Sequence, residues 1–263
     1  MKAFTVTCII PTLGRLSLVN AVISALNQTQ DCSIIVVIDR NYKKLDFPKL
    51  PQHEKIKIIY SKYTGVSELR NEGIRNAKTD FVAFLDDDDL WFPKKIENQL
   101  TYATLGYQFI TCQSVHQRGN KIQLKPRLNM YTNASNLRLV MEKFYDKNLF
   151  GNRNYIPVSS WMISKNVFES VSFDPTYSIR EDLKLLYEIE APTFISVEKP
   201  LVWIKSNRIR SWNRENLREA IIWFKFLMGY SRNQAIRFLL FEYLRTLVLR
   251  TATIILRSGI KND

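Results

Sequence analysis

Four consecutive aspartates, Asp86 to Asp89, follow the apolar run Phe81-Val82-Ala83-Phe84-Leu85 and precede Leu90-Trp91-Phe92-Pro93. Adjacent carboxylates repel one another and aspartate disfavours strands, so the run suits a strand end where a cation neutralises it. In open α/β sheets the carboxyl ends of strands are also where ligands bind. A hard divalent cation such as Mg2+ or Mn2+ is held by one or two carboxylates plus substrate phosphates, and this run supplies the carboxylates. The competing reading is a solvated acidic turn ahead of a helix starting near Pro93, with Asp89 as its N-cap. With only His53 and His116 in the chain, a His-based metal site or Ser-His catalysis is disfavoured. Cys8, Cys32 and Cys112 are widely separated and read as reduced thiols of a cytosolic protein rather than a disulfide framework or zinc site.

The acid run needs a scaffold, and the first half of the chain alternates short apolar runs with helical patterns. Val6 to Ile10 reads as a buried strand that Pro11-Thr12 breaks, and Met1 to Phe4 lead into it without a leader. Apolar positions at helical spacing follow from about Leu16 to Asn27. Ile34 to Ile38 is a second strand ending at Asp39, Lys57 to Tyr60 a third, and Val66 to Ala77 a second helix. Strands alternating with helices imply βαβ units, a mainly parallel sheet flanked by helices, and a Rossmann-like nucleotide-binding half. Right-handed crossovers then place Thr12, Asp39 and the acid run along one sheet edge. Between Gln113 and Tyr155 the pattern loosens, reading as loops and a helix over the site. Regular structure returns at Val158 to Ile163 and in a helix from Glu181 to Glu190.

The chain has 263 residues and a net charge of +13, with 46% hydrophobic residues, enough for one large α/β domain. Twelve Lys/Arg against four Asp/Glu between Lys205 and Asp263 give that tail +8. Helical segments are predicted at Glu215 to Met228 and Asn233 to Leu256. Arg237, Glu242, Arg245 and Arg250 interrupt the second, arguing against a spanning helix. They fall within about 220° of arc and leave an apolar face. Such basic amphipathic helices fit an anionic membrane surface, or pack on the domain or on a second copy as a homo-oligomer. No recognition motif supports a nucleic-acid role.

Together these landmarks resemble glycosyltransferase family 2, inverting enzymes of the GT-A fold. Cys8-Ile9-Ile10-Pro11-Thr12 is similar to that family's first strand and turn. Val36-Val37-Ile38-Asp39 resembles its second strand, although Ile38 and Arg40 replace an acid and a glycine. Gly65 to Gly73, with Arg70-Asn71 inside, resembles its Gly…Arg-Asn…Gly segment, and Phe84 to Asp89 its DXD motif. Phe173-Asp174 followed by Arg180-Glu181-Asp182 resembles its later acidic motif, which bears the catalytic base.

The resemblance implies an inverting, Mn2+- or Mg2+-dependent transfer from a nucleotide-sugar, UDP-type favoured, to a glycan or lipid-linked acceptor. Asp88 would be the direct metal ligand, with Asp86 on the donor ribose or sharing the metal. Pro11, Thr12, Asp39, Arg70, Asp86 and Asp87 would bind the nucleotide-sugar; the alternative for Asp87 and Asp89 is to support the loop. Asp39 would accept from the pyrimidine or simply form a turn. Arg70 would meet base or diphosphate, or lie on an exposed helical face. Asp182 would be the base, with Glu181 orienting the acceptor or the base; both also suit a first helical turn. Trp161 would be an acceptor platform or a core residue. Lys205, Arg208 or Arg210 would supply positive charge to the diphosphate. The implied organisation is a GT-A domain over 1–204, divided into a nucleotide-sugar half (1–112) and an acceptor half (113–204), then a basic helical extension over 205–263. The implied setting is the cytoplasmic face of the plasma membrane, in capsule, O-antigen or similar synthesis. A non-catalytic nucleotide-binding or scaffold subunit is the alternative, and a nucleotidyltransferase a third reading.

Overall fold

A computed structural model describes residues 3–42, 47–118, 121–125, 156–178, 180–189 and 193–205, with four positions between 221 and 229. The chain divides into two compact units, Met1–Lys143 with Arg153–Asn207 and Phe144–Asn152 with Arg208–Asp263. The first holds the sheet and the acid run. In the second, Ile221, Lys225 and Met228 are helical and exposed, on one face at i, i+4, i+7 spacing. The predicted helix Asn233 to Leu256 and the residues Arg208 and Arg210 lie outside the described residues. No helix of the described residues is long and apolar enough to cross a membrane.

Among the described residues nine strands form one sheet: β1 (Val6–Thr12), β2 (Ser33–Ile38), β3 (Ile56–Tyr60), β4 (Phe81–Phe84), β5 (Asp89–Trp91), β6 (Phe109–Arg118), β7 (Lys121–Lys125), β8 (Met162–Ser164) and β9 (Phe194–Lys205). Their order is β3-β2-β1-β4-β8-β6-β9-β5, with β7 on the far part of β6. β3, β2, β1 and β4 are all parallel, as expected of βαβ units. The rest is mixed: β8 runs antiparallel to β4 and β6, β9 parallel to β6, and β5 antiparallel to β9. The expectation of loops and a helix from Gln113 fails over its first part. β6 continues to Arg118 and turns back as β7, so position 112/113 lies inside a strand rather than between halves.

Pro11 and Thr12 do not break β1; they pair with Val37 and Ile38. Parity explains the tolerance. Ile9 O accepts from Leu85 N on the β4 side and Thr12 O from Asp39 N on the β2 side. Pro11, two after Ile9, therefore turns its missing N–H toward β4, whose pairing with β1 ends at Ile9–Phe84. No ladder bond is lost.

Helices α1 (Leu18–Leu26) and α3 (Lys95–Ala103) cover one face, where Leu18, Val22 and Ile96 join Cys8, Ile10 and Val36 in the core. The opposite face is aromatic: Trp161 stacks on Phe173 at 6.4 Å and meets Phe84 and Phe109 edge-on. Helix α2 (Val66–Asn76) lies on this face, and Gly73 sets how closely. A Cβ there would overlap Ile9 Cγ2 in β1. Gly73→Ala is expected to destabilise by about 1–2 kcal/mol in urea unfolding, the overlap outweighing alanine's better helix propensity.

Lys95 is fully buried in this core, its Nζ donating to Gln99 Oε1 at 2.7 Å and lying 4.1 Å from the Trp91 ring centre. Burial without a carboxylate lowers its pKa from 10.5 to about 8. The unfolded chain therefore holds more protons between those values, and stability rises with pH there, by about 1 kcal/mol between pH 8 and 9. Burial pushes the thiols the other way, Cys32 up to about 12 and Cys112 up to about 11 from 9.0. Above pH 9 the folded chain keeps thiol protons that the unfolded chain loses, and stability falls. Urea unfolding at constant ionic strength is expected to show a maximum near pH 9, and Lys95→Met should abolish the rise below it.

Candidate active site

The carboxyl ends of β1, β2 and β4 converge, and Thr12, Asp39 and Asp86 stand at those ends as predicted. Asp39 closes the turn after β2: its Oδ1 accepts from Asn41 N at 2.7 Å and its Oδ2 from Gly65 N at 2.8 Å. The second bond ties β2 to the start of α2, where Gly65 holds a left-handed φ of 91° that glycine adopts without strain. Asp39 thus has the turn role; its remaining lone pairs are where a pyrimidine N–H would have to donate.

The acid run is a tight turn with alternating fates. Asp86 and Asp88 side chains are 37% and 42% exposed, whereas Asp87 and Asp89 are buried. Asp87 accepts from Thr12 Oγ1 and from Arg15 Nη1, both at 2.6 Å. Asp89 is not an N-cap. It opens β5, pairs with Ile204 of β9, and accepts from Ser159 Oγ at 2.6 Å, while Lys94 stands at the N-terminus of α3. Ser159, in the 3₁₀ turn Val158–Ser160, also takes the Asp86 N–H at 3.1 Å, and its carbonyl receives Trp91 Nε1. One serine therefore clasps both ends of the run. Burial pushes the Asp87 and Asp89 carboxyls up, Asp89 well above its usual range with the Asp86 charge adding to the effect. The β5–β9 register brings β9 to the run at Ile204, with Lys205 one residue further along.

Arg70 is neither exposed nor open to a ligand's base or diphosphate. Its side chain is buried over the Phe173 ring at 5.2 Å; Nη2 donates to Asp86 Oδ1 at 2.8 Å and Nη1 to Glu181 Oε1 at 2.7 Å. Burial alone would lower its pKa, but the Asp86 and Glu181 carboxylates outweigh this and hold the guanidinium protonated. Its neighbour Asn71 pairs with the backbone of Phe173 in both directions, at 2.7 and 3.0 Å. The segment from Gly65 to Gly73 therefore seats the strand ends on one side and the second acidic pair on the other.

That pair opens α4 (Glu181–Glu188). Arg180 before it is the one non-glycine with positive φ among the described residues, at φ 67°. Such strain is retained where surroundings dictate it. Burial, then the Asp182 charge, raises the Glu181 pKa against the opposing Arg70. Asp182 is buried, and its Oδ1 accepts the Leu183 N–H at 2.8 Å. Asp174 serves a turn, held by Thr176 and by Lys184 at 3.2 Å. Trp161 is fully enclosed by the aromatic layer, so as placed it offers no ring face to an acceptor; the core reading is correct. Sequence reasoning missed Ser159 and Arg15. Arg15 had a legible signal, being the lone charged residue between Lys2 and Asp31, beside the Pro11-Thr12 turn.

Among the described residues no group of three or more His, Cys, Asp or Glu is placed to hold a metal ion. The exposed pair Asp86 and Asp88 nevertheless fits a cation that takes one or two carboxylates and completes its shell with water and phosphate oxygens.

Comparison with known proteins joins this geometry to a lineage. The model of glycosyl transferase family 2 matches residues 7–172. An uncharacterized glycosyltransferase of Rickettsia typhi is 37% identical over 97 residues, 36% of this chain and 30% of the relative. The Escherichia coli UDP-Glc:alpha-D-GlcNAc-diphosphoundecaprenol beta-1,3-glucosyltransferase WfgD is 30% identical over 109 residues, 38% of this chain and 42% of WfgD. This chain thus spans less than half the length of either relative. The crystal structure of Staphylococcus aureus TarS 1–349 with UDP-GlcNAc superposes with a TM-score of 0.58 at 13% identity, covering 81% of this chain and 60% of that one. The fold is GT-A, and the chain belongs to glycosyltransferase family 2.

Proposed function

We propose that this glycosyltransferase is inverting and metal-dependent, moving a sugar from a UDP-type nucleotide-sugar to a hydroxyl of a lipid-linked or cell-surface glycan. The observation that carries the reading is the alternation in the acid run. Its exposed members, Asp86 and Asp88, are the two required toward donor and metal, while Asp87 and Asp89 are spent on holding the turn. Asp88 would hold the metal directly, with Asp86 sharing it or accepting from the ribose. A divalent cation there supplies Lewis-acid stabilisation of the departing diphosphate. Pro11, Thr12 and Asp39 border the nucleotide, and Lys205, one residue past the β9 partner of Asp89, would supply positive charge to the diphosphate. Across Arg70, Asp182 accepts the proton of the attacking hydroxyl and Glu181 fixes the approach. One carboxylate suffices because a single displacement forms no glycosyl-enzyme.

The nucleotide class draws support from TarS, solved with UDP-GlcNAc and with UDP. The acceptor class draws it from WfgD, named for a diphosphoundecaprenol acceptor, and from the Bacillus subtilis protein TuaG, named as a putative teichuronic acid biosynthesis glycosyltransferase. The catalytic domain is taken as 1–204 and the basic extension, 205–263, as the membrane-facing part at the inner leaflet. A donor-hydrolysis screen tests the reaction. Nucleoside diphosphate released slowly from one nucleotide-sugar, with Mn2+ and not with EDTA, is the expected result. Release of pyrophosphate from a nucleoside triphosphate instead would assign a nucleotidyltransferase.

A further inference from the structure

Arg15 stands on the loop between β1 and α1, where Gly14, at φ 79°, lets the backbone pass against the Tyr42 ring. It meets two acids of the run through one nitrogen and does so unequally. Nη1 lies 2.6 Å from Oδ1 of the buried Asp87 but 3.4 Å from Oδ2 of Asp88, whose side chain is 42% exposed. Leaving Asp87 would strand a buried carboxylate, whereas leaving Asp88 gives up only a long, solvent-screened pair. The side chain is 38% exposed, and among the described residues Nε and Nη2 donate to no protein group. An arginine pinned at one corner, with the rest of its fork facing solvent, is suited to two parallel hydrogen bonds with phosphate oxygens.

We infer that Arg15 is a displaceable counter-cation of the acid run. It neutralises Asp88 while the site is empty, yields Asp88 to the divalent cation, and from its anchor on Asp87 turns its unused donors to the diphosphate. This rests on the metal- and nucleotide-dependent reading above and adds a residue to it. The arrangement makes metal and donor arrive together. In the free protein the guanidinium opposes the cation, and with the diphosphate bound its positive charge is neutralised by phosphate.

The signature is a pair of opposite effects. Mn2+ binding to the nucleotide-free protein, read from the electron paramagnetic resonance of free Mn2+, is expected to tighten about 2- to 5-fold in Arg15→Gln. UDP binding at saturating Mn2+, by calorimetry, is expected to weaken about 10-fold or more. Arg15→Lys keeps the charge without the fork, so its Mn2+ affinity should match the wild type while UDP binding falls. Arg15→Gln affinities that weaken in parallel or stay unchanged would overturn the inference, reducing Arg15 to a loop brace or a bystander. If wild-type protein binds no UDP in Mn2+, the functional reading fails first, and the variants are not needed to show it.

Discussion

Replacing Arg70 by methionine should lower transferase activity by about 100-fold or more and cost roughly 3–5 kcal/mol of stability. Methionine fills the space over Phe173 but leaves Asp86 and Glu181 without the cation between them. Glu181 carries most of the penalty, being the more buried of the two and already pushed up by burial and by Asp182. Without Arg70 it ionises at still higher pH, so the loss deepens as pH rises above the ordinary carboxylate range. Arg70 also sets the distance between the acid run and α4, and misplacement by an ångström is enough for a 100-fold effect. Arg70→Lys retains one point charge and reaches one carboxylate at a time, so it should fall between wild type and methionine. Urea unfolding and rates taken well below the unfolding midpoint separate the two effects. An Arg70→Met protein with wild-type stability would show that the two carboxylates do not depend on it.

The second large effect is expected from Asp182→Asn. Loss of a general base costs about 10²- to 10⁴-fold in rate. The fold should survive, because the amide oxygen of the substituted side chain can still accept the Leu183 N–H that Asp182 Oδ1 takes. Affinity for UDP should stay within about twofold, since this residue would act on the acceptor side. Glu181→Gln makes the contrast, because breaking its ion pair with Arg70 removes stability and rate together. Turnover of Asp182→Asn near the wild-type rate would place the base elsewhere.

The two effects mark the boundary of what could be read without coordinates. Short apolar runs located β2, β3 and β4, and helical patterns located α1 and α2. The order of the strand ends followed from crossover handedness, and so did the meeting of Thr12, Asp39 and the acid run. What failed depended on neighbours distant in sequence. Whether Asp89 capped a helix or joined a strand hinged on β9 and Ser159, about 115 and 70 residues away in the chain. Arg70 sits in a helix whose sequence fits an exposed or a buried arginine equally well; only the arrival of Asp86 and Glu181 decides. Trp161 is apolar in either role, and enclosure by Phe84, Phe109 and Phe173 is a tertiary fact. Pro11 looked like a strand breaker because its N–H side, facing the end of β4, is set by the register of the sheet.

The most direct measurement is calorimetric titration of UDP, dTDP and GDP into the full chain with Mn2+, with EDTA, and with Asp88→Asn in Mn2+. One nucleotide, UDP foremost, is expected to bind with Mn2+, to lose most of that affinity in EDTA, and to bind Asp88→Asn as weakly as the chelated wild type. Binding of none of the three, or binding that neither EDTA nor Asp88→Asn alters, would contradict a metal-assisted donor site at the acid run.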